Sequence, residues 1–129
     1  SCKHYFTKGS KLLDMSNTIE LKPYEGRVKV LIGAVLIAES ESAIQLLEGN
    51  LPTCFYFPPG DVSSDLLTAS TAVTHCPYKG NARYWHVTAD GVTHEDIVWA
   101  YDSPISSVSP IAGYMSFYNN RVQFVGFSK

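Results

Sequence analysis

Between Thr74 and Trp85 the chain reads Thr-His-Cys-Pro-Tyr-Lys-Gly-Asn-Ala-Arg-Tyr-Trp. A thiol, an amine, an imidazole, a guanidinium and aromatic rings crowd around one Pro and one Gly. A tight turn lets polar heads converge on one point, and functional groups gather on such turns. Cys76 is a strong nucleophile only as a thiolate, which needs nearby positive charge or a helix N-terminus. His75 and Lys79 flank it, although an extended backbone points His75 to the opposite face. The competing reading is a small buried thiol packed under a Pro turn. Lys79 precedes Gly80, which lets the backbone turn sharply or approach a ligand. An amine there can hold a phosphate or carboxylate, or act as a base once desolvated. Arg83, four residues on, can complete an anion clamp with it. The competing reading is a solvated turn lysine, and one Gly beside a Lys is not a phosphate-cradling loop.

The candidate carboxylates are Glu39, Glu48 and Asp61, each of which ends an apolar stretch. Acids at strand ends can gather at the mouth of a β fold, and unequal burial then makes one a proton donor while another stays ionised. A close pair suits hydrolysis of a glycosidic or similar bond. Capping of a short helix explains Asp61 equally well; ordinary exposed strand ends would explain Glu39 and Glu48. Trp99-Ala100-Tyr101 places two rings on one face of a strand, and Trp85 is expected in the same layer. With Tyr84 they form a platform for a sugar or nucleobase, or simply a small core. His4, His86 and His94 have no ligand-like spacing, so no metal and no cofactor is expected.

The elements that must position these groups are short and mostly extended. Residues 1–16 lack a clean period and form a lead-in arm. Ile19 and Leu21 alternate before a turn at Pro23-Tyr24-Glu25-Gly26. Arg27–Ile32 and Val35–Ala38 read as strands joined at Gly33-Ala34. Ala43–Glu48 is a strand or a turn and a half of helix. Thr53–Phe57 is extended and stops at Pro58-Pro59-Gly60, after which Asp61 is placed to cap a short helix running to Leu67. Arg83–Thr88 and Ile97–Tyr101 are strands, with a hairpin signal at Asp90-Gly91. Pro104–Pro110 is a short irregular helix. Gly113–Tyr118 and Arg121–Phe127, joined by Asn119-Asn120, make the clearest hairpin. Many short strands between Gly, Pro and Asn turns predict a mainly antiparallel β domain with one or two short helices.

At 129 residues the chain fits one domain with a single real core. Its 45% hydrophobic and 17% charged residues suit a soluble globular protein. The net charge of −2 and the lack of any basic block argue against a nucleic-acid polymer as partner. The longest apolar run, 28–38, is broken by Lys29 and Gly33, so no membrane span is expected, and no signal peptide is visible. Three scattered cysteines, Cys2, Cys54 and Cys76, are too few for a disulfide framework and contain no CxxC pair, which points to a reducing, cytoplasmic setting.

Taken in order, Ala38-Glu39-Ser40, Glu48, Tyr56-Phe57-Pro58, Asp61-Val62, Cys76-Pro77-Tyr78-Lys79-Gly80, Tyr84-Trp85, Trp99-Ala100-Tyr101, Pro104 and Gly113–Tyr118 resemble the family known as domain of unknown function 427, also labelled nucleotidyltransferase-like. The resemblance covers about residues 27–124, with Cys-Pro-aromatic-Lys-Gly as its most specific element. It implies a small β-tent or open barrel, similar in outline to methionine sulfoxide reductase B and related zinc-binding folds. The paired CxxC knuckles of those folds are missing here, so their zinc and redox roles do not carry over. Nucleotidyltransferases usually hold magnesium with two closely spaced carboxylates, and this chain has no Asp-x-Asp pair.

Three functions follow as expectations. The first is a hydrolase- or transferase-like enzyme for a small polar molecule, with catalytic Glu39, Glu48, Lys79 and Cys76, and with Arg83, Tyr84, Trp99, Tyr101 and Asp61 binding the ligand. The second is a binding module for a nucleotide, sugar or other small polar ligand. The third, a thiol redox protein, requires an exposed, acidic Cys76. A second copy of the chain is a candidate partner for the last strand, which is expected at a sheet edge.

Overall fold

The computed structural model describes residues 18–128. Ten strands run through them: β1 Ile19–Pro23, β2 Gly26–Ile32, β3 Val35–Ser40, β4 Ile44–Glu48, β5 Cys54–Phe57, β6 Leu67–Cys76, β7 Gly80–Ala89, β8 Val92–Tyr101, β9 Met115–Phe117 and β10 Gln123–Ser128. Three 3-10 segments, Pro59–Asp61, Ser64–Leu66 and Ser106–Ile111, are the helical elements among the described residues. The lead-in arm expected over 1–16 lies outside them.

The strands form two antiparallel sheets. One has seven strands in the order β1-β4-β5-β9-β8-β7-β6, and the other three in the order β10-β2-β3. Period-two alternation gives each face of the large sheet its own apolar cluster. One face carries Phe57, Trp85, Val87, Val98, Ala100 and Phe117, which pack against Val28, Val30, Ile37 and Ala38 of the small sheet. The opposite face carries Leu46, Tyr56, Ala82, Tyr84, Trp99 and Tyr101, covered in part by Val108 and Ile111 of the last 3-10 segment. Neither sheet closes on itself, so the architecture is an open, mainly β fold.

Most of the short strands and turns lie where the hydrophobic alternation puts them. Asp90 and Gly91 both take positive φ, 55° and 76°, as a two-residue hairpin turn requires. The 43–48 stretch resolves as a strand because Leu46 and Glu48 both point to the second cluster's side, with relative exposures of 1% and 4%.

Four expectations are corrected. The helix from Asp61 to Leu67 does not form. Pro59–Asp61 makes one 3-10 turn, Val62 then extends to bridge Ala38, and Ser64–Leu66 makes a second turn without a side-chain cap. Pairing along β3 outweighs the local capping signal, and the Asp61 carboxylate instead accepts a hydrogen bond from the Ser40 hydroxyl at 2.6 Å. The hairpin across Asn119-Asn120 does not form either. β9 sits between β5 and β8, while β10 crosses to the small sheet and pairs with β2. The turn is real, with Arg121 N–H donating to the Tyr118 carbonyl, but it passes the chain between sheets instead of reversing it within one. β6 is a ten-residue strand built from Thr, Ala, Ser and Val, a composition with no strong apolar signal, and the sequence reading missed it. Trp85 lies on the opposite face from Trp99 and Tyr101 because it follows Tyr84 on an alternating strand. β10 is an edge strand, as expected.

The packing predicts a clear contrast in chemical denaturation. Phe117, fully buried against Phe57 with ring centroids 5.7 Å apart, should lose about 3–5 kcal/mol on truncation to Ala. Val73, 69% exposed on the edge strand, should change stability by no more than about 0.5 kcal/mol on the same substitution. Urea unfolding midpoints of the two variants measure both.

Candidate functional site

The Cys76–Gly80 stretch closes the β6–β7 hairpin. Lys79 N–H donates to the Cys76 carbonyl at 3.1 Å, and Cys76 faces Gly80 across the ladder. Gly80 takes φ +125°, and a Cβ added there would lie 3.3 Å from the Ser103 carbonyl oxygen and 3.4 Å from Pro104 Cα. The glycine therefore lets the hairpin end press against the segment after β8, where Ile105 N–H donates to the Lys79 carbonyl at 2.9 Å. This turn directs the Lys79 side chain inward, to 0% exposure.

There Lys79 Nζ donates to Glu48 Oε1 at 2.7 Å, and the carboxylate side chain is 4% exposed. The two residues come from distant parts of the large sheet. Four strand-to-strand steps separate β4 from β7, a span of about 19 Å in a flat sheet. A direct contact requires the sheet to curl so that its two ends face one another. The strands between supply the floor of that concavity. Tyr56 of β5, Trp99 and Tyr101 of β8 and Tyr84 of β7 belong to one buried cluster, and the Trp99 indole N–H donates to the Tyr56 hydroxyl at 3.2 Å. Tyr118 closes on Trp99 edge-on, with centroids 5.0 Å apart.

Cys76 Sγ lies 3.8 Å from Lys79 Nζ, and Cys76 is buried and disulfide-bonded. It therefore presents no thiol as a nucleophile. Cys54 is buried within the aromatic cluster.

Of the residues nominated from sequence, Glu48, Lys79, Cys76, Tyr84, Trp99 and Tyr101 come together on this face. Glu39, Arg83 and Asp61 do not. Glu39, 30% exposed on the small sheet, pairs with Arg27 at 2.9 Å, and Arg27 also reaches Glu41. The hydrogen bond that Arg27 donates to Glu39 and the charge of Glu41 hold the Arg27 guanidinium above its usual pKa. Arg83 is half-exposed, pairs with Asp102 and stacks over the Trp85 ring at 4.4 Å. It lines a shallow hollow of about 240 Å³ with Val73, Asn81, Asp102 and Ser103. Its charge is met by Asp102, and that of Lys79 by Glu48, so each cation already has its own carboxylate.

Three residues of the face were not nominated. Tyr56 follows Cys54 by two on β5, an alternation visible in the sequence. Thr74, whose hydroxyl lies 2.7 Å from that of Tyr84, sits on the unrecognised strand β6. Tyr118 is placed by the crossing between sheets, which no local pattern announces. Burial holds both tyrosine hydroxyls protonated: Tyr84 is pushed above its usual pKa, and Tyr118 is pushed to about 12, with Tyr84 and Asp96 adding to the effect and Arg121 opposing it.

Chemically, the face offers a carboxylate and an amine in direct contact inside an aromatic shell. A proton can pass between them with no change in net charge. Among the described residues no group of three or more His, Cys, Asp or Glu side chains could hold a metal ion, and no helix is long and apolar enough to cross a membrane.

Two expectations follow from this geometry. Gly80→Ala forces a side chain into a positive-φ position against backbone atoms, and should cost about 1–3 kcal/mol in a urea titration. Tyr118 binds its proton more tightly in the folded chain than in the unfolded one, where its pKa is near 10.0. Its contribution to stability is thus complete below pH 10.0 and disappears as pH rises through about 12. Unfolding free energies measured across that window should fall with pH, and Tyr118→Phe should flatten the fall.

No curated protein matches the chain. A family model, described as a domain of unknown function (DUF427) and labelled NTP_transf_9, matches residues 20–126, from β1 through most of β10. The match takes in the hairpin turn, both members of the buried pair and the aromatic floor, and the chain belongs to the DUF427 family.

Proposed function

We propose that this domain processes a small polar molecule by proton transfer, as a hydrolase- or transferase-like enzyme, with Glu48 and Lys79 as its acid–base couple. One observation carries the reading: an ion pair at 0% and 4% exposure, beside Cys76 of the buried cluster that also holds Tyr56, Tyr84, Trp99 and Tyr101. Desolvating two charges costs several kcal/mol per ion, and an apolar pair of similar volume is often at least as stable. Packing alone therefore does not explain keeping an amine and a carboxylate there. Acid–base chemistry does, because a couple in low dielectric responds strongly to an incoming polar group. Glu48 accepts a proton from the substrate, Lys79 donates to the oxygen on which charge develops, and the rings pack against the rest of the molecule.

A second reading is a binding module for a nucleotide, sugar or similar ligand. It is favoured by the closure of the pair, which leaves neither head at the surface. Both readings need the concave face, and they part on whether the bound molecule is changed.

A thermal-shift screen of polar metabolites, followed by mass spectrometry of each hit after incubation, distinguishes them. The enzyme reading predicts a compound that raises Tm and is consumed by the wild-type chain, with consumption falling at least about 100-fold in Glu48→Gln. A compound that binds and is recovered intact supports the binding module. Turnover unchanged in both Glu48→Gln and Lys79→Met would falsify the assignment of the couple.

A further inference from the structure

Away from the buried pair, three neighbouring strands lose regular register at one level of the large sheet. β6 slips between Ala69 and Val73, and β7 slips against β8 between Trp85 and Val87. On β8, Asp96 adopts φ +54°. A non-glycine residue held there in the middle of a strand is strained, and such strain persists only where neighbouring contacts enforce it. Here the contacts are polar. The Asp96 backbone N–H donates to His86 Nδ1 at 3.1 Å. The Ser70 hydroxyl donates to Asp96 Oδ1, and the Ala72 N–H donates to Ser70 Oγ at 3.0 Å. Ser70, His86 and Asp96 thus tie β6, β7 and β8 together where the ladder is broken.

We propose that His86 and Asp96 form a proton-operated latch on the β7–β8 bulge. Because Nδ1 accepts the Asp96 N–H, it carries no proton in this state, and the neutral ring holds its proton on Nε2. A second proton must bind at Nδ1. It turns the acceptor into a donor facing another donor, and the Asp96 N–H loses its partner. The new Nδ1–H has an acceptor within reach in Asp96 Oδ1. That oxygen is 3.6 Å away, too far for a hydrogen bond now, and it must approach by about 0.6 Å to make one. Protonation therefore exchanges a backbone tether for a side-chain ion pair and removes one of the contacts that hold Asp96 at positive φ, the Ser70 bond remaining. Imidazole is the kind of side chain that can gain and lose a proton reversibly in water, which makes His86 the switching member of the bulge.

The surrounding groups permit this exchange. On β6, His86 faces Thr68 across the ladder and Ser70 beside it, neither of which titrates. On β8 the nearby titratable groups are the acids Asp96 and Glu95 and a second imidazole, His94, which faces Val87 across the ladder. Tyr84 precedes His86 by two residues on β7, and Tyr84 and Tyr118 lie within electrostatic reach of Asp96 with their hydroxyls held protonated. Arg121 acts on Tyr118, and the 3-10 segment packed on β7 carries Asp65. The strand released by the latch also carries Trp99 and Tyr101, and its partner carries Tyr84, so the aromatic floor shares the two strands that move. The latch does not depend on what Glu48 and Lys79 do.

The test is an NMR titration of the intact, ¹⁵N-labelled chain from about pH 8 to about pH 5. At the upper end the His86 ring should show the Nε2–H tautomer. As His86 takes up its proton, the Asp96 amide resonance should follow the same titration curve, and its hydrogen-exchange protection factor, referenced to the intrinsic rate at each pH, should fall by about tenfold, as expected for loss of one hydrogen bond. His86→Gln should abolish that pH response, whereas Ser70→Ala, which leaves the backbone tether in place, should keep it. An Nδ1–H tautomer at pH 8, or an Asp96 amide indifferent to the His86 titration, would overturn the proposal.

Discussion

The contact between Lys79 and Glu48 closes the seven-stranded sheet across its own concave side. Four strand steps separate β4, which carries Glu48, from β7, whose preceding turn carries Lys79, yet the heads are 2.7 Å apart. That distance sets how tightly the sheet curls, and the curl sets the rest. It brings Tyr56, Trp99 and Tyr101 from the intervening strands into one layer. It also brings the end of the β6–β7 hairpin against the chain after β8, where a Cβ at position 80 would crowd the Ser103 carbonyl. The small sheet packs on the opposite face through a separate apolar cluster, so the two faces of one sheet divide the labour of the domain. One is a core of Val, Ile, Phe and Ala. The other mixes rings, hydroxyls and a charge pair.

Such a face is a costly way to build a small domain. Each ion gives up its hydration, and mutual attraction repays the loss only when geometry is good and partners are complete. The same low dielectric that makes the pair expensive makes it responsive to any polar group that enters. The link between Ser70, His86 and Asp96 is a second departure from regular packing on the large sheet. There, backbone ladder bonds are replaced by side-chain bonds and a strained residue is held by an imidazole. Both departures involve polar side chains where an ordinary sheet would use apolar ones, and both lie on or beside strands β7 and β8. Local consistency is broken in a few places, as it is in proteins that accept strain at working sites.

Much of this was legible in the chain itself, for identifiable reasons. Alternation located β2, β3, β7 and β8, because a half-buried strand writes its two faces into neighbouring residues. The crowded turn at 76–80 and the acid at 48 were visible as unusual chemistry beside apolar runs. What the chain could not show was long-range pairing. Asn119-Asn120 looks like a hairpin turn, yet β9 and β10 join different sheets, because the partners that decide the matter lie about 60 and 100 residues earlier. Asp61 looks like a cap, yet Val62 is drawn into a bridge to Ala38. Glu39 and Glu48 looked equivalent as strand-end acids. Their separation onto different sheets, one at the surface with Arg27 and one buried with Lys79, is a property of topology alone. His86 carried no spacing signal, since its partner is the backbone of a bulge.

The central claim is that Lys79 and Glu48 form a desolvated pair that holds the two ends of the large sheet together. A double-mutant cycle on unfolding free energy tests it most directly, using Lys79→Met, Glu48→Leu and the two combined. If the pair is buried as described, each single change strands an uncompensated charge or a lone polar site and costs about 3–5 kcal/mol, while the double variant recovers most of that loss. Single changes that each cost less than about 1 kcal/mol and simply add in the double variant are the signature of a solvated surface pair, and would contradict the account.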